Sequence, residues 1–170
     1  DTYRGGGNQD YMRYNVATTF TRAAEEGLID TNASLHIAPR GPNMDNSVFE
    51  HTREVGFQLI DGDDLFETGL IKTADNLVEQ LKDRTVYLCF DMDFFDPSCA
   101  PGVCTPTWGG ATAREGLGFL RKLKGLNIVG ADINTVSPPH DVGGMTAFLA
   151  GAVALEILTL FCYAQNLVPE

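Results

Sequence analysis

Residues 85–97 read Thr85-Val86-Tyr87-Leu88-Cys89-Phe90-Asp91-Met92-Asp93-Phe94-Phe95-Asp96-Pro97, and the fold turns on how they are read. Val86 to Phe90 is an unbroken apolar run, as expected for a strand covered on both faces. Asp91 and Asp93 follow at its C-terminal end. On an extended chain, side chains at i and i+2 share one face. Two carboxylates side by side resist ionising together unless a cation sits between them. Ligands of open α/β sheets bind outside the carboxyl ends of strands. A divalent-metal site is therefore the functional reading, with oxygen ligands suited to Mg or Mn. A surface acidic turn fits the bare D-x-D equally well. The next stretch, 97–110, holds Pro97, Pro101, Gly102, Pro106, Gly109 and Gly110, which rule out helix and interior strand. A long structureless loop after a carboxylate-bearing strand end is where active sites gather.

Outward from this segment, short apolar runs alternate with helical patterns, which predicts βαβ units and a parallel sheet. Residues 1–14 read as loop. Asn15 or Thr18 caps a helix to about Glu26, stopped by Gly27. Strands are expected at 34–38 and 56–60, a short helix at 47–55, and an acidic turn at 61–64. Leu70, Ile71, Ala74, Leu77, Val78 and Leu81 form the core stripe of an amphipathic helix. A helix at 113–123, stopped by Gly125, leads to a buried strand at 127–131. The last helix, about 146–165, is apolar nearly all round, so a membrane span and a buried core helix both fit. Glu156 near its middle favours the core, because a central carboxylate is costly in lipid.

The chain has 170 residues, enough for one domain with a real core. Twelve Lys and Arg against 23 Asp and Glu leave a formal charge of −11. That balance argues against nucleic-acid and anionic-membrane partners and suits a cationic substrate or metal ions. Cys89, Cys99, Cys104 and Cys162 form no C-x-x-C pair, and reduced thiols in a cytoplasmic protein are expected. No signal peptide opens the chain. It begins at Asp1 rather than Met, and a fragment is expected.

The loop motifs carry a resemblance. Asp91-Met92-Asp93-Phe94-Phe95-Asp96-Pro97, Ala100-Pro101-Gly102, Thr105-Pro106 and Gly109-Gly110 resemble the D-x-D-x-x-D-P…A-P-G…T-P…G-G signature of the ureohydrolases, the agmatinase and arginase family. Gly130-Ala131-Asp132 with Val136-Ser137-Pro138 is similar to its G-x-D-x-x-E-V-x-P segment, and Asp1-Thr2-Tyr3 to the tail of D-A-H-x-D-T-Y. The resemblance implies a three-layer α/β/α fold with a mainly parallel sheet. It makes residues 1–170 a single domain lacking its N-terminal part. It also implies two Mn ions, with Ni or Co as alternatives. Asp91 would bridge both ions, Asp93 would ligate one and Asp1 the other. In such enzymes a shared hydroxide attacks the guanidinium carbon of a small cationic guanidino substrate, releasing urea and an amine. Asp93 is thereby also a catalytic candidate. Asp96 is expected to hold the loop by hydrogen bonds. Family members are usually homo-oligomers.

Three departures stand out. The family's other ligands, two His and one Asp, lie upstream of Asp1. The Glu that pairs with the guanidinium falls on Thr135, leaving Thr135 as the substrate-side candidate without a charge-assisted bidentate bond. The His of S-H-G-T-x-F falls on Val16. Guanidine and guanidinobutyrate therefore rival agmatine, and a non-catalytic homologue is a further alternative. A haloacid-dehalogenase-type phosphatase also begins with strand-D-x-D, but Phe95 and the Ala-Pro-Gly loop do not suit it. His140, in a loop after a strand end, is a pocket-lining and catalytic candidate, while His36 and His51 read as structural. Cys99 and Cys104 lack partners for zinc, and Cys99 is a candidate oxidisable thiol. Gly5-Gly6-Gly7 is not a phosphate loop, since no Lys follows.

Overall fold

A computed structural model describes residues 2–5, 10–42 and 48–168, so Asp1 lies outside the described residues. The chain divides into two compact units, Asp1–Asp61 and Gly62–Glu170.

The first unit holds α1 (Asp10–Arg13), α2 (Thr19–Glu25), β1 (Leu35–Ile37), α3 (Val48–Val55) and β2 (Gln58–Ile60). The expected loop at 1–14 thus contains one helical turn. The helix expected from 15 or 18 is a 3₁₀ turn, Val16–Thr18, followed by α2. Asn15 caps the turn reciprocally: its Oδ1 accepts from Ala17 N at 2.9 Å, and its own N–H donates to Thr18 Oγ1 at 3.1 Å. Gly27, at φ 67°, stands just past the end of α2. β1 and β2 pair in parallel, with His36 opposite Leu59. Such a pair needs a crossover, and α3 packs on β2.

The second unit holds α4 (Gly62–Thr68), α5 (Leu70–Leu81), β3 (Thr85–Asp91), α6 (Ala113–Lys122), β4 (Asn127–Asn134) and α7 (Met145–Ala164). The expected acidic turn at 61–64 is the start of α4. Asp63 and Asp64 lie in its first turn, where negative charge suits the helix dipole. α5 buries Leu70, Thr73, Ala74, Leu77 and Leu81, but Ile71 from the predicted stripe is exposed. β3 and β4 pair in parallel from Thr85–Asn127 to Asp91–Asn134, with a register shift between Val86 and Tyr87. A cluster of Phe90, Phe94, Phe95 and Phe119, with ring centroids 5.6–6.0 Å apart, welds the end of β3 to α6.

Two burial expectations are corrected. Tyr87 is 56% and Val129 54% exposed, so neither strand is covered throughout; at these positions the side chains meet solvent rather than a second packed layer. α7 packs on β4 and α6 along one stripe, Val153, Ile157 and Leu160, rather than being buried all round. On its opposite side Phe148 is 78% and Leu155 65% exposed. Glu156 answers Arg121 of α6 at 2.5 Å. Among the described residues α7 alone is long and apolar enough to cross a membrane, by length and composition.

Candidate functional site

β3 stops at Asp91 because the chain tightens into a 3₁₀ turn, Met92–Phe94. Met92 and then Phe95 are fully buried, which anchors that turn in the core. Asp93 therefore sits in the turn, not on the strand, and the two carboxylates do not share a strand face as the spacing suggested. They still sense each other: burial first, then the negative charges of Asp93 and Asp132, push the Asp91 carboxyl above its usual range.

Along β3, Tyr87, Cys89 and Asp91 alternate beside Asp132 and Asn134 of β4, with Cys89 opposite Asp132 and Asp91 opposite Asn134. Tyr87 Oη donates to Asp132 Oδ2 at 2.5 Å, and this bond, followed by burial, takes the phenol up to about 12. Asn134 Nδ2 donates to Asp132 and, at 3.5 Å, to Cys89 Sγ. Burial, reinforced by the Asp91 charge, raises the Cys89 thiol to about 12, which keeps it protonated.

Asp93 is held from two sides. Its Oδ2 accepts from Thr105 Oγ1 at 2.7 Å, and its backbone N–H donates to Thr135 Oγ1 at 3.2 Å. Thr135, just past β4, is at φ 71°, a left-handed conformation that for a β-branched residue costs on the order of 1–3 kcal/mol. Its carbonyl accepts from Cys104 N at 2.9 Å.

The long loop is not structureless. Phe95 bridges Ala111 in parallel, and Val103 bridges Val136 in antiparallel fashion. The Asp96 carboxylate accepts from Ser98 N and Gly109 N at 2.9 Å and from Gly110 N at 3.3 Å. The Ser98 side chain first, and then these backbone N–H groups, hold its carboxyl down at about 2. The loop-holding role expected of Asp96 is borne out. Gly102 lies so close to the Asp141 backbone that a Cβ would stand 2.6 Å from its Cα. Asp141 in turn accepts from Thr146 N and Ala147 N, both at 2.9 Å, at the start of α7.

Sequence comparison places the chain among known proteins. Residues 6–160 match the arginase family. The chain belongs to that family. It is 38% identical to proclavaminate amidinohydrolase of Streptomyces clavuligerus, over 91% of this chain and 49% of the relative. It is 39% identical to an agmatinase of Photorhabdus laumondii, over 94% and 48%. It is 38% identical to guanidinopropionase of Pseudomonas aeruginosa, over 86% and 46%. The solved Streptomyces clavuligerus proclavaminate amidino hydrolase matches with a TM-score of 0.83 at 36% identity, covering 92% of this chain and 51% of that one. The chain thus spans about half the length of the curated relatives it matches, and its helices and parallel strands are part of an arginase-like α/β domain.

The arginase-family expectations fall on the structure unevenly. Asp91 and Asp93 come together at one strand end. A half-buried carboxyl facing two further negative charges is a site that a divalent cation would relieve, and its hard oxygen donors suit manganese. The fit covers part of a coordination shell only: no group of three or more His, Cys, Asp or Glu able to hold one ion occurs among the described residues. Asp1, the remaining expected ligand, is outside them. Thr135 is present at the site, but its hydroxyl is engaged by Asp93. His140 ends an exposed 3₁₀ turn, and its Nδ1 lies 2.8 Å from Ser137 Oγ, not against the aspartates. Cys99 Sγ donates to the Asp96 carbonyl at 3.4 Å, and burial raises its thiol, which argues against ready oxidation. Trp108 is exposed.

Sequence reasoning passed over Tyr87, Thr105 and Asn134. Strand alternation from Asp91 back to Cys89 and Tyr87 was a usable signal. Thr105 lies in the T-P part of the loop signature, which marks its place but not its partner; Asn134 carries no such signal, and its contact with Cys89 comes from the neighbouring strand.

Proposed function

We propose that the chain is part of a binuclear-manganese ureohydrolase that cleaves a C–N bond of a guanidino compound to urea and an amine, in the manner of an agmatinase. The carrying observation is the Asp91–Asp93 pair at the end of β3, latched by Thr105 and Thr135. Membership of the arginase family, with relatives named agmatinase and guanidinopropionase, supports the substrate class.

Asp91 and Asp93 would hold the metal, with Asp1 as a further ligand. When bound, the metal pair supplies Lewis acidity and lowers the pKa of water. The acidic chain, at −11, draws a cationic substrate inward. Thr135 stands where the resemblance places the Glu that pairs with the guanidinium, so that ion pair is missing here for every guanidino substrate, and guanidine and guanidinobutyrate stand beside agmatine as candidates. His140 would line the pocket from the turn before α7. We further propose that residues 1–170 fold as one domain and that the protein is cytoplasmic and homo-oligomeric.

The same Thr135 favours a second reading, a homologue that keeps the fold without turnover. Urea release by the full natural protein with manganese decides between them, with agmatine, guanidinobutyrate and guanidine offered side by side. Urea from any of them supports the hydrolase. None, with metal bound, supports the non-catalytic reading.

A further inference from the structure

We infer that Thr135 is a positioning residue that sets the geometry of the Asp93 carboxylate, rather than a group that selects the guanidinium. This rests on the metal-hydrolase reading above.

Three hydrogen bonds close a ring around Asp93. Thr135 Oγ1 accepts from Asp93 N at 3.2 Å, Asp93 Oδ2 accepts from Thr105 Oγ1 at 2.7 Å, and Cys104 N, next to Thr105, donates to the Thr135 carbonyl at 2.9 Å. One residue thus fixes both the main chain that bears the carboxylate and the strand of loop that grips its oxygen. The ring spans positions 93, 104–105 and 135, all within one compact unit.

The backbone of Thr135 is what makes the ring close. β4 ends at Asn134, and the next residue turns to φ 71°. In that conformation its side-chain oxygen and its carbonyl serve two different segments at once. A glycine would reach the conformation with less strain but would offer no hydroxyl. A threonine accepts the strain and supplies the acceptor. The chemistry of the acceptor matters too. Asp91, Asp93 and Asp132 already crowd negative charge here. A hydroxyl accepts the Asp93 N–H without adding another negative charge. Outliers of this kind persist where the surroundings over-determine them, and here two hydrogen bonds from different segments converge on Thr135.

The test uses the full natural protein with Thr135→Val, isosteric but without the hydroxyl, and Thr135→Ser, which restores it. In metal-free protein, Thr135→Val speeds hydrogen exchange of the Asp93 amide about tenfold and leaves the Cys104 amide unchanged, the size expected for one lost hydrogen bond. Manganese affinity falls by about the same factor. KM at saturating manganese is unchanged, and Thr135→Ser recovers both readouts. If Thr135→Val does not fold, Thr105→Val opens the ring from the other side and weakens manganese binding without altering the Asp93 amide. Wild-type exchange and wild-type metal affinity in Thr135→Val overturn the inference. So does a raised KM with unchanged metal affinity, which makes Thr135 a substrate contact. A wild-type protein that binds no manganese overturns the metal-hydrolase reading itself, and the amide exchange still reports separately whether the latch exists.

Discussion

At Asp96 one carboxylate answers three backbone N–H groups of its own loop, from Ser98, Gly109 and Gly110. Asn in its place keeps one acceptor oxygen and loses the other, so Asp96→Asn frees either the Ser98 side or the Gly109–Gly110 side. Limited proteolysis should then cut within 97–110 faster than in the wild type. The carboxyl, held at about 2, lies below its unfolded value, so its stabilisation is present above the unfolded pKa and is lost as pH falls toward 2. His36 acts in a higher window. Burial lowers its pKa to about 4 from 6.5, and Nδ1 has no partner among the described residues. The unfolded chain takes up that proton first. Stability is therefore full above the unfolded value and falls between about 6.5 and 4. Urea denaturation at a series of pH values should show this loss, and His36→Leu should remove it. Asp96 was readable from sequence because it and its partners Ser98, Gly109 and Gly110 belong to one loop whose motif is continuous in sequence. Thr135 was not, because the amide it accepts from lies 42 residues away.

On α6 two glycines make a matched pair. A Cβ on Gly116 would stand 2.2 Å from Phe95 Cε1, and Phe95 is locked in the aromatic cluster. Overpacking of this kind costs about 1–3 kcal/mol, more than the ~1 kcal/mol a helix gains from Gly→Ala. Gly118 has nothing within 4 Å of its Cβ position. Gly116→Ala should lower, and Gly118→Ala raise by roughly 0.5–1 kcal/mol, the stability read from denaturant midpoints. At the start of the helix, Thr112 and Glu115 cap reciprocally, so Thr112→Ala should cost about 1 kcal/mol in the same assay. Elements with local signals were legible: α5 from its periodicity, α6 from Gly125 beyond its end. α4 was misread because Asp63 and Asp64 suit a turn and a helix N-terminus equally well. β4 runs on from Ala131 to Asn134 because its ladder with β3 continues, and a partner strand is invisible in a single segment.

For the whole molecule, α7 is the feature with the largest consequence. Its buried stripe and its outward side are both apolar, with Phe148 and Leu155 on the latter. A contiguous apolar face in water drives association. The 170-residue chain by itself should self-associate in size-exclusion chromatography, and Phe148→Lys with Leu155→Lys should shift it toward monomer. A monodisperse wild-type chain would count against this. The alternation of helices and parallel strands, the strand-end carboxylates and the family to which they belong were all legible in the chain, because periodicity and motif spacing are local. Folding alone put Asp93 in a turn rather than on the strand, closed a ring around it through Thr135, and left one apolar side of α7 facing solvent. Hydrogen bonds between distant residues and the burial of a face depend on neighbours that meet only when the chain has folded.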